Sequence, residues 1–258
     1  MSAEERQNRI VKLVDEYGSI RVSDLSRRFQ VTSETIRRDL NHLARRGELR
    51  RNWGGAVKPD HLSIRRDIAR EDQNIRYKRE IALAAWRFIH PGDHILLDGS
   101  EMARLMAGYA PNVPMLVLTN SVRVAMELAG RDRITVICIG GLMHASSCSI
   151  MGSMAEETLA AFHVQKAFLS AAGVHVNQGI SEVSELHALC TRRMIAIAEE
   201  RYLLADQDKL NVYGFVKICS LDAVDHIITD SRADPDRIAM LQRHAGKVIL
   251  ADGTAPYG

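Results

Sequence analysis

The residues best suited to chemistry lie between Thr32 and Asn41, where hydroxyl, carboxylate, guanidinium and amide groups fall at helical spacing. Ile36, Leu40 and Leu43 recur at i, i+4 and i+7, which places them on one stripe of a 3.6-residue helix and turns that stripe toward a core. Ser33, Glu34, Arg37, Arg38, Asn41 and Arg45 are left on the other surface. An arginine there can take a guanine edge bidentately or grip a phosphate. Thr32 stands where an N-cap is wanted, its hydroxyl placed to accept from a free N–H of the first turn. The chemistry on offer is hydrogen bonding to nucleic-acid bases and phosphates.

A second group of polar residues follows short apolar runs further along: Asp98-Gly99-Ser100, Thr119-Asn120-Ser121, Gly140-Gly141 and Asp206-Gln207-Asp208-Lys209. Glycine turns expose backbone N–H groups, hydroxyls bind oxyanions, and a lysine supplies a point charge for phosphate. Taken singly, each has a plainer reading. Asp206 with Lys209 would be a surface ion pair, Gly140-Gly141 a turn, and Thr119 to Ser121 a helix cap. Their convergence at successive strand exits favours a small-molecule pocket.

The elements that must position the first group are short. Glu4 to Tyr17 reads as a helix with Ile10, Leu13, Val14 and Tyr17 inward, closed by Gly18. Val22 to Phe29 reads as a second helix with Val22, Leu25 and Phe29 inward, and Gln30-Val31 as a tight connection to the third. Two helices joined this closely form a helix-turn-helix. Gly47 ends the third helix, and Leu49 to Val57, with Arg50 and Arg51, reads as a basic β-hairpin, the wing of a winged helix.

From Lys58 to Lys78 mixed charges with few apolar residues read as a linker. After Arg79, a helix from Glu80 to Ile89 precedes a strand at His94 to Asp98. Further strands are expected at Met115 to Thr119, Ile134 to Ile139, Lys166 to Ala171, Tyr202 to Asp206, His226 to Thr229 and Lys247 to Ala251. Helices intervene at Met102 to Tyr109, Val122 to Ala129, Met154 to Phe162, Glu185 to Glu200 and Pro235 to His244. Apolar strands alternating with helices predict a largely parallel, doubly wound α/β sheet, in which ligands bind at the carboxyl ends of the strands.

Composition fits one small and one medium domain: 46% hydrophobic and 26% charged residues with a net charge of only +2. The distribution is more telling, because residues 1–58 hold 13 Lys and Arg against 8 Asp and Glu, whereas the remainder holds 21 against 24. The basic excess sits with the helix-turn-helix. Cys138, Cys148, Cys190 and Cys219 are scattered without metal or disulfide spacing and are expected to be buried thiols. No apolar signal core or membrane-length run is present, which points to a reducing cytoplasm.

The run from Val22 to Val57 resembles the N-terminal domain of the DeoR family of bacterial sugar-operon repressors. Thr32, and then Thr35-Ile36-Arg37-Arg38-Asp39-Leu40, match the family motif, and Gly54-Gly55-Ala56 matches its wing. One departure is Trp53, where a His is usual. The strand exits, together with Phe168, Gly173, Gly179-Ile180-Ser181, Glu185 and Thr229-Asp230, extend the resemblance to the family's effector domain, which is similar to the sugar-phosphate isomerase fold.

The resemblance implies a winged helix-turn-helix domain (1–57), a linker (58–78) and an α/β effector-binding and oligomerisation domain (79–258). Operator DNA contacts are expected from Thr32, Ser33, Glu34, Thr35, Arg37, Arg38, Asn41, Arg50, Arg51 and Trp53. Contacts to a sugar or sugar phosphate are expected from Asp98, Gly99, Ser100, Glu101, Thr119, Asn120, Ser121, Gly140, Gly141, Glu185, Asp206 and Lys209. No cofactor or metal is implied, and a homodimer or tetramer is. After the first strand the family usually has small hydroxyl residues where this chain has Glu101 and Met102. A carboxylate at that helix N-terminus should repel a phosphate dianion.

Two rival functions are weaker. An isomerase acting on a sugar phosphate would use Asp206 or Glu185 as base and Lys209 for the phosphate, but shared fold is only analogy. A winged helix serving protein or RNA contact fits poorly with arginines concentrated where a duplex would lie.

Overall fold

The stripe of Ile36, Leu40 and Leu43 is fully buried in the computed structural model, which describes residues 3–17, 19–45, 48–52, 55–57, 74–244 and 246–253. The chain divides into two compact units, Met1–Gln73 and Asn74–Gly258. In the first, helix α1 (Ala3–Tyr17), strand β1 (Ser19–Arg21), helices α2 (Val22–Phe29) and α3 (Ser33–Arg45), and strands β2 (Arg50–Asn52) and β3 (Gly55–Val57) follow in order. The stripe packs on Ile10, Leu13 and Val14 of α1, on Val22 and Leu25 of α2, and on Leu49 and Ala56.

Strand β3 lies between β1 and β2 and is antiparallel to both, with Arg51 opposite Ala56 and Ile20 on its other side. That approach requires glycine at position 55, because a Cβ there would come within 2.1 Å of the Ile20 carbonyl oxygen. Gly18, Gly47, Trp53 and Gly54 lie outside the described residues, as do residues 58–73 of the expected linker.

The second unit opens with helix α4 (residues 74–85), extended by a 3-10 turn at Trp86–Phe88. The linker expected to run to Lys78 is therefore shorter: residues 74–78 are the first turns of this helix. They are held by Arg232, which stacks its guanidinium on Tyr77 and donates to Asn74. Mixed charge reads as linker because such tertiary partners are invisible in one segment.

Next come β4 (His94–Leu97), α5 (Glu101–Gly108), β5 (Met115–Thr119), α6 (Val122–Leu128) and β6 (Ile134–Cys138). A hairpin of β7 (Leu142–His144) and β8 (Ser149–Met151) leads to α7 (Ser153–Ala160) and β9 (Val164–Leu169). Then follow β10 (Gly173–His175), β11 (Gly179–Glu182), α8 (Glu185–Ala196), β12 (Ala198–Leu204), β13 (Val216–Cys219), β14 (His226–Thr229), α9 (Pro235–Gln242) and β15 (Lys247–Leu250).

Seven strands form one sheet in the order β15-β14-β12-β9-β4-β5-β6, parallel throughout. Its residues alternate between two cores. Ile95 and Leu97 face one with Phe168, Tyr202 and Leu204, whereas Leu96 faces the other with Leu118, Ala167 and Leu169. Burial on both faces explains why the strands read as nearly continuous apolar runs. From β4 the chain moves outward to β5 and β6, then returns to lay β9 on the other side of β4. The crevice between β4 and β9 is thus a topological switch point.

Two expectations change here. The helix expected to reach Glu200 stops at Ala196, and residues 198–200 already belong to β12. The three-strand antiparallel sheet β10-β11-β13 and the β7-β8 hairpin were not foreseen.

Candidate nucleic-acid interface and ligand cavity

The start of α3 is built as its sequence requires. The Thr32 hydroxyl accepts from the Thr35 N–H at 3.2 Å and lies 2.9 Å from the Thr35 hydroxyl. The preceding turn passes through Gln30 in the left-handed region, and Ser26 donates to the Val31 carbonyl at 2.6 Å. Glu34, Arg37, Arg38 and Asn41 are exposed, with Ser33 and Thr35 half-buried. Glu34 lies 3.7 Å from Arg37 and 3.6 Å from Arg38, so one carboxylate steadies both guanidinium groups at the surface.

Asp39, inside the same motif, has another task. It is buried and takes two hydrogen bonds from Arg6 of α1, at 2.6 and 3.2 Å, plus one from Gln7 at 2.9 Å. This bidentate pair fixes α3 against α1. The Arg6 side-chain bond to Asp39 raises the guanidinium pKa against the opposing effect of burial. Arg50 and Arg51 lie on β2 of the wing, whereas Trp53 lies outside the described residues.

In the second unit a cavity of about 330 Å³ opens at the β4–β9 switch point. Asp98, leaving β4, accepts from the Ser100 N–H at 3.0 Å and from the Ser170 N–H at 2.7 Å, which ties the exits of β4 and β9 together. Ser170 donates to the Leu204 carbonyl and accepts from the Lys209 ammonium at 2.8 Å. Burial pushes the Asp98 carboxyl above its usual range, against the pull of Ser100 and Ser170. Burial also pushes Lys209 down, while Asp206, Asp98 and Glu182 hold it up. The result is a cation with three carboxylates acting on it and one hydroxyl partner, facing a cavity lined by both polar and apolar side chains.

Five of the twelve expected effector residues line this cavity along with Lys209: Asp98, Gly99, Ser100, Glu101 and Asn120. Asn120 is buried and donates to the Ile150 carbonyl at 2.9 Å. The other six do not line it. Thr119 accepts from the Ser121 N–H, and Ser121 caps α6 through the Val124 N–H, so both hydroxyls are spent on local backbone. Gly141 has φ +145° and sits against Ile150 and Met151, a turn into β7 beside Gly140. Glu185 is exposed at the start of α8, and Asp206 is buried, its carbonyl accepting from the Lys209 N–H at 3.0 Å and its carboxylate acting on the ammonium through charge.

Glu101 lines the cavity with its charge already engaged. Its carboxylate is held by Arg104 at 2.8 Å, which lowers its pKa, and Arg104 also reaches Glu127 at 3.0 Å. It does not pair with Lys209. Lys78 of α4, placed by sequence in the linker, is close enough to act electrostatically on both Lys209 and Glu101.

Sequence reading missed Ser149, the Ser170-Ala171-Ala172 exit of β9, Glu182, and the α8 stripe His187, Cys190, Thr191 and Met194. The run of small residues after an apolar strand was a usable signal. The stripe was not, since its spacing is that of any buried helix face. Of the cysteines, Cys190 alone is buried; Cys138 is exposed and the other two are intermediate, contrary to expectation. Burial, with the charges of Glu156 and Asp98, pushes the Cys190 thiol up to about 12, so it lines the cavity as a neutral group. Among the described residues no helix is long and apolar enough to cross a membrane.

A winged helix whose third helix exposes arginines, followed by an α/β unit with a cavity at its switch point, defines a DNA-binding transcriptional regulator. The chain belongs to the DeoR family: residues 6–61 match the DeoR-like helix-turn-helix domain and residues 73–231 the DeoR C terminal sensor domain. It is 40% identical to the HTH-type transcriptional regulator YulB of Bacillus subtilis over 96% of each chain. It is 31% identical to an L-fucose operon activator of Haemophilus influenzae (90% of this chain, 94% of the relative). With a lactose phosphotransferase system repressor of Streptococcus mutans it shares 30% identity (95% and 98%). A ribose 5-phosphate isomerase A structure from Methanocaldococcus jannaschii overlaps 51% of this chain and 52% of its own at 17% identity, with a TM-score of 0.38.

Proposed function

We propose that the protein is a cytoplasmic repressor of a carbohydrate-utilisation operon, and that a sugar or sugar phosphate bound in the cavity of the second unit weakens its grip on the operator. The observation that carries the effector reading is the Lys209 ammonium, held on Ser170 at the carboxyl ends of β9 and β12 and facing the start of α5. A half-buried cation lining the same cavity as the start of α5 suits a phosphate or another anionic group, and Asn120, Ser149 and Thr191 suit hydroxyls. Because Arg104 engages Glu101, the carboxylate is a weaker obstacle to a phosphorylated effector than its sequence position implies. The named relatives regulate a lactose system and a fucose operon, which supports a carbohydrate signal.

The isomerase alternative loses its bases: Glu185 is exposed and Asp206 does not line the cavity. Asp98, which does line it, has both carboxylate oxygens engaged by backbone N–H groups. Operator reading falls to α3 and the wing, and residues from Asn74 onward carry effector binding and oligomerisation. One reading head covers one half-site, so a dimer or tetramer gives the specificity an operator needs.

Calorimetric titration of the full chain with matched sugars and sugar phosphates tests the effector reading. Binding of at least one phosphorylated sugar, lost in Lys209→Met and unchanged in Glu185→Gln, is the expected result. Equal binding by the parent protein and Lys209→Met would refute the assignment. Sedimentation of the same samples should show a dimer or larger species.

A further inference from the structure

In the winged helix, exposed cations gather at a place away from the residues of α3 discussed above. Between α1 and α2 lies an open cleft of about 470 Å³ lined by Arg9, Lys12, Leu13, Arg28, Phe29 and Gln30. Leu13 is buried and Phe29 half-buried, so they form an apolar floor, while Arg9, Lys12 and Arg28 are exposed around it. Arg6, Arg27, Arg37 and Arg38 each have a carboxylate within 4.0 Å, namely Asp39, Asp24 and Glu34, the last shared. Among the described residues, Arg9, Lys12 and Arg28 have none. Three like charges around one cleft, with no carboxylate within 4.0 Å among the described residues, make a local positive field that an anion would relieve.

The position of the cleft says which anion. Gln30, with φ 53°, ends α2, and Thr32 caps α3 two residues later, so the cleft adjoins the turn that leads into the first turn of α3. In helix-turn-helix docking, that first turn contacts base edges while the helix before it crosses the sugar-phosphate backbone. Long, exposed cations around a cleft suit phosphate oxygens, the commonest contacts that position a protein on a duplex. An apolar floor between them suits the sugar that links successive phosphates.

We propose that this cleft holds the phosphodiester backbone of the DNA strand bordering the groove read by α3. The cleft supplies sequence-independent affinity and register, and α3 supplies specificity. The proposal rests on α3 being the reading helix, and the two are separable by experiment.

The test uses the full chain and a duplex that it selects from a random library, titrated over a range of salt concentrations. In Arg9→Gln/Lys12→Gln/Arg28→Gln, the slope of log affinity against log salt should fall by about 0.9 for each lost contact, up to about 2.7. The ratio of affinities for selected and scrambled duplexes should stay as in the parent protein. An unchanged slope in a triple variant that melts like the parent would overturn the proposal, and would leave the cleft to some partner other than DNA. A reduced selected-to-scrambled ratio with an intact slope would also overturn it, since the cations would then be reading bases. Should the triple variant fail to fold, Lys12→Gln and Arg28→Gln alone should each lower the slope by about 0.9, and unchanged slopes in both would count as refutation. Failure of α3 as reader shows differently: Arg37→Ala would keep the parent's preference for the selected duplex.

Discussion

Arg37 and Arg38 are exposed on α3 and share one carboxylate, Glu34, at 3.6–3.7 Å, a distance that water and DNA can easily compete for. Replacing Arg37 by Ala should therefore lower operator affinity by roughly 1–3 kcal/mol at fixed salt, measured by fluorescence anisotropy, with little effect on folding. Asp230 shows the opposite balance. It is fully buried at the exit of β14, where it accepts from Arg232 at 2.7 Å and from the Gln207 N–H at 2.7 Å. Burial pushes its carboxyl up, but the bonds from Arg232 and from the Gln207 and Arg232 backbone outweigh it and hold the pKa below the usual range. A depressed carboxyl stabilises the fold above its unfolded value, and that stability is lost as pH falls through the folded value. In Asp230→Asn the acid side of the stability profile should flatten, and stability near neutral pH should fall by about 3 kcal/mol, because the half-buried Arg232 loses its nearer counter-charge and keeps only Asp208 at 4.0 Å. Denaturant unfolding at several pH values measures both.

At the scale of elements, what was legible was what periodicity encodes. The i, i+4, i+7 stripe of α3 and the continuous apolar runs of β4, β5, β9, β12, β14 and β15 gave the helix-turn-helix and the parallel sheet, with β5 and β14 at their observed limits. The β7-β8 and β10-β11-β13 pieces are three or four residues long, too short for alternation to show, and they exist because long-range pairing holds them. The cavity was half legible for a related reason. A hydroxyl at a strand exit looks the same whether or not it lines a cavity: Ser100, Thr119 and Ser121 all accept from nearby backbone N–H groups, yet only Ser100 lines it. Asp39 was hidden inside a motif of exposed residues expected to contact DNA, yet its partner lies 33 residues away on α1. This strut gives a test at its own scale. Asp39→Ala leaves the Arg6 guanidinium buried without its carboxylate and should destabilise the winged helix by about 3–5 kcal/mol. Arg6→Met/Asp39→Leu should recover most of that loss in thermal unfolding, since an apolar pair of similar size leaves no buried charge. A single variant as stable as the parent would mean that the pair does not hold α3 in place.

At the scale of the whole molecule, the chain joins a reading unit ending near Gln73 to a sensing unit beginning at Asn74. Such a protein works as a switch only if the two sites are energetically coupled, and coupling between equilibrium affinities must be reciprocal. The most direct measurement is operator affinity of the full chain with and without a saturating sugar phosphate that calorimetry has shown to bind, together with affinity for that sugar phosphate with and without operator. The expected result is a loss of operator affinity of about 5-fold or more, matched by an equal loss of ligand affinity on DNA, with both effects absent in Lys209→Met. Operator affinity that stays constant while the ligand saturates the cavity, or a shift that persists in Lys209→Met, would contradict the assignment of this cavity as the effector site.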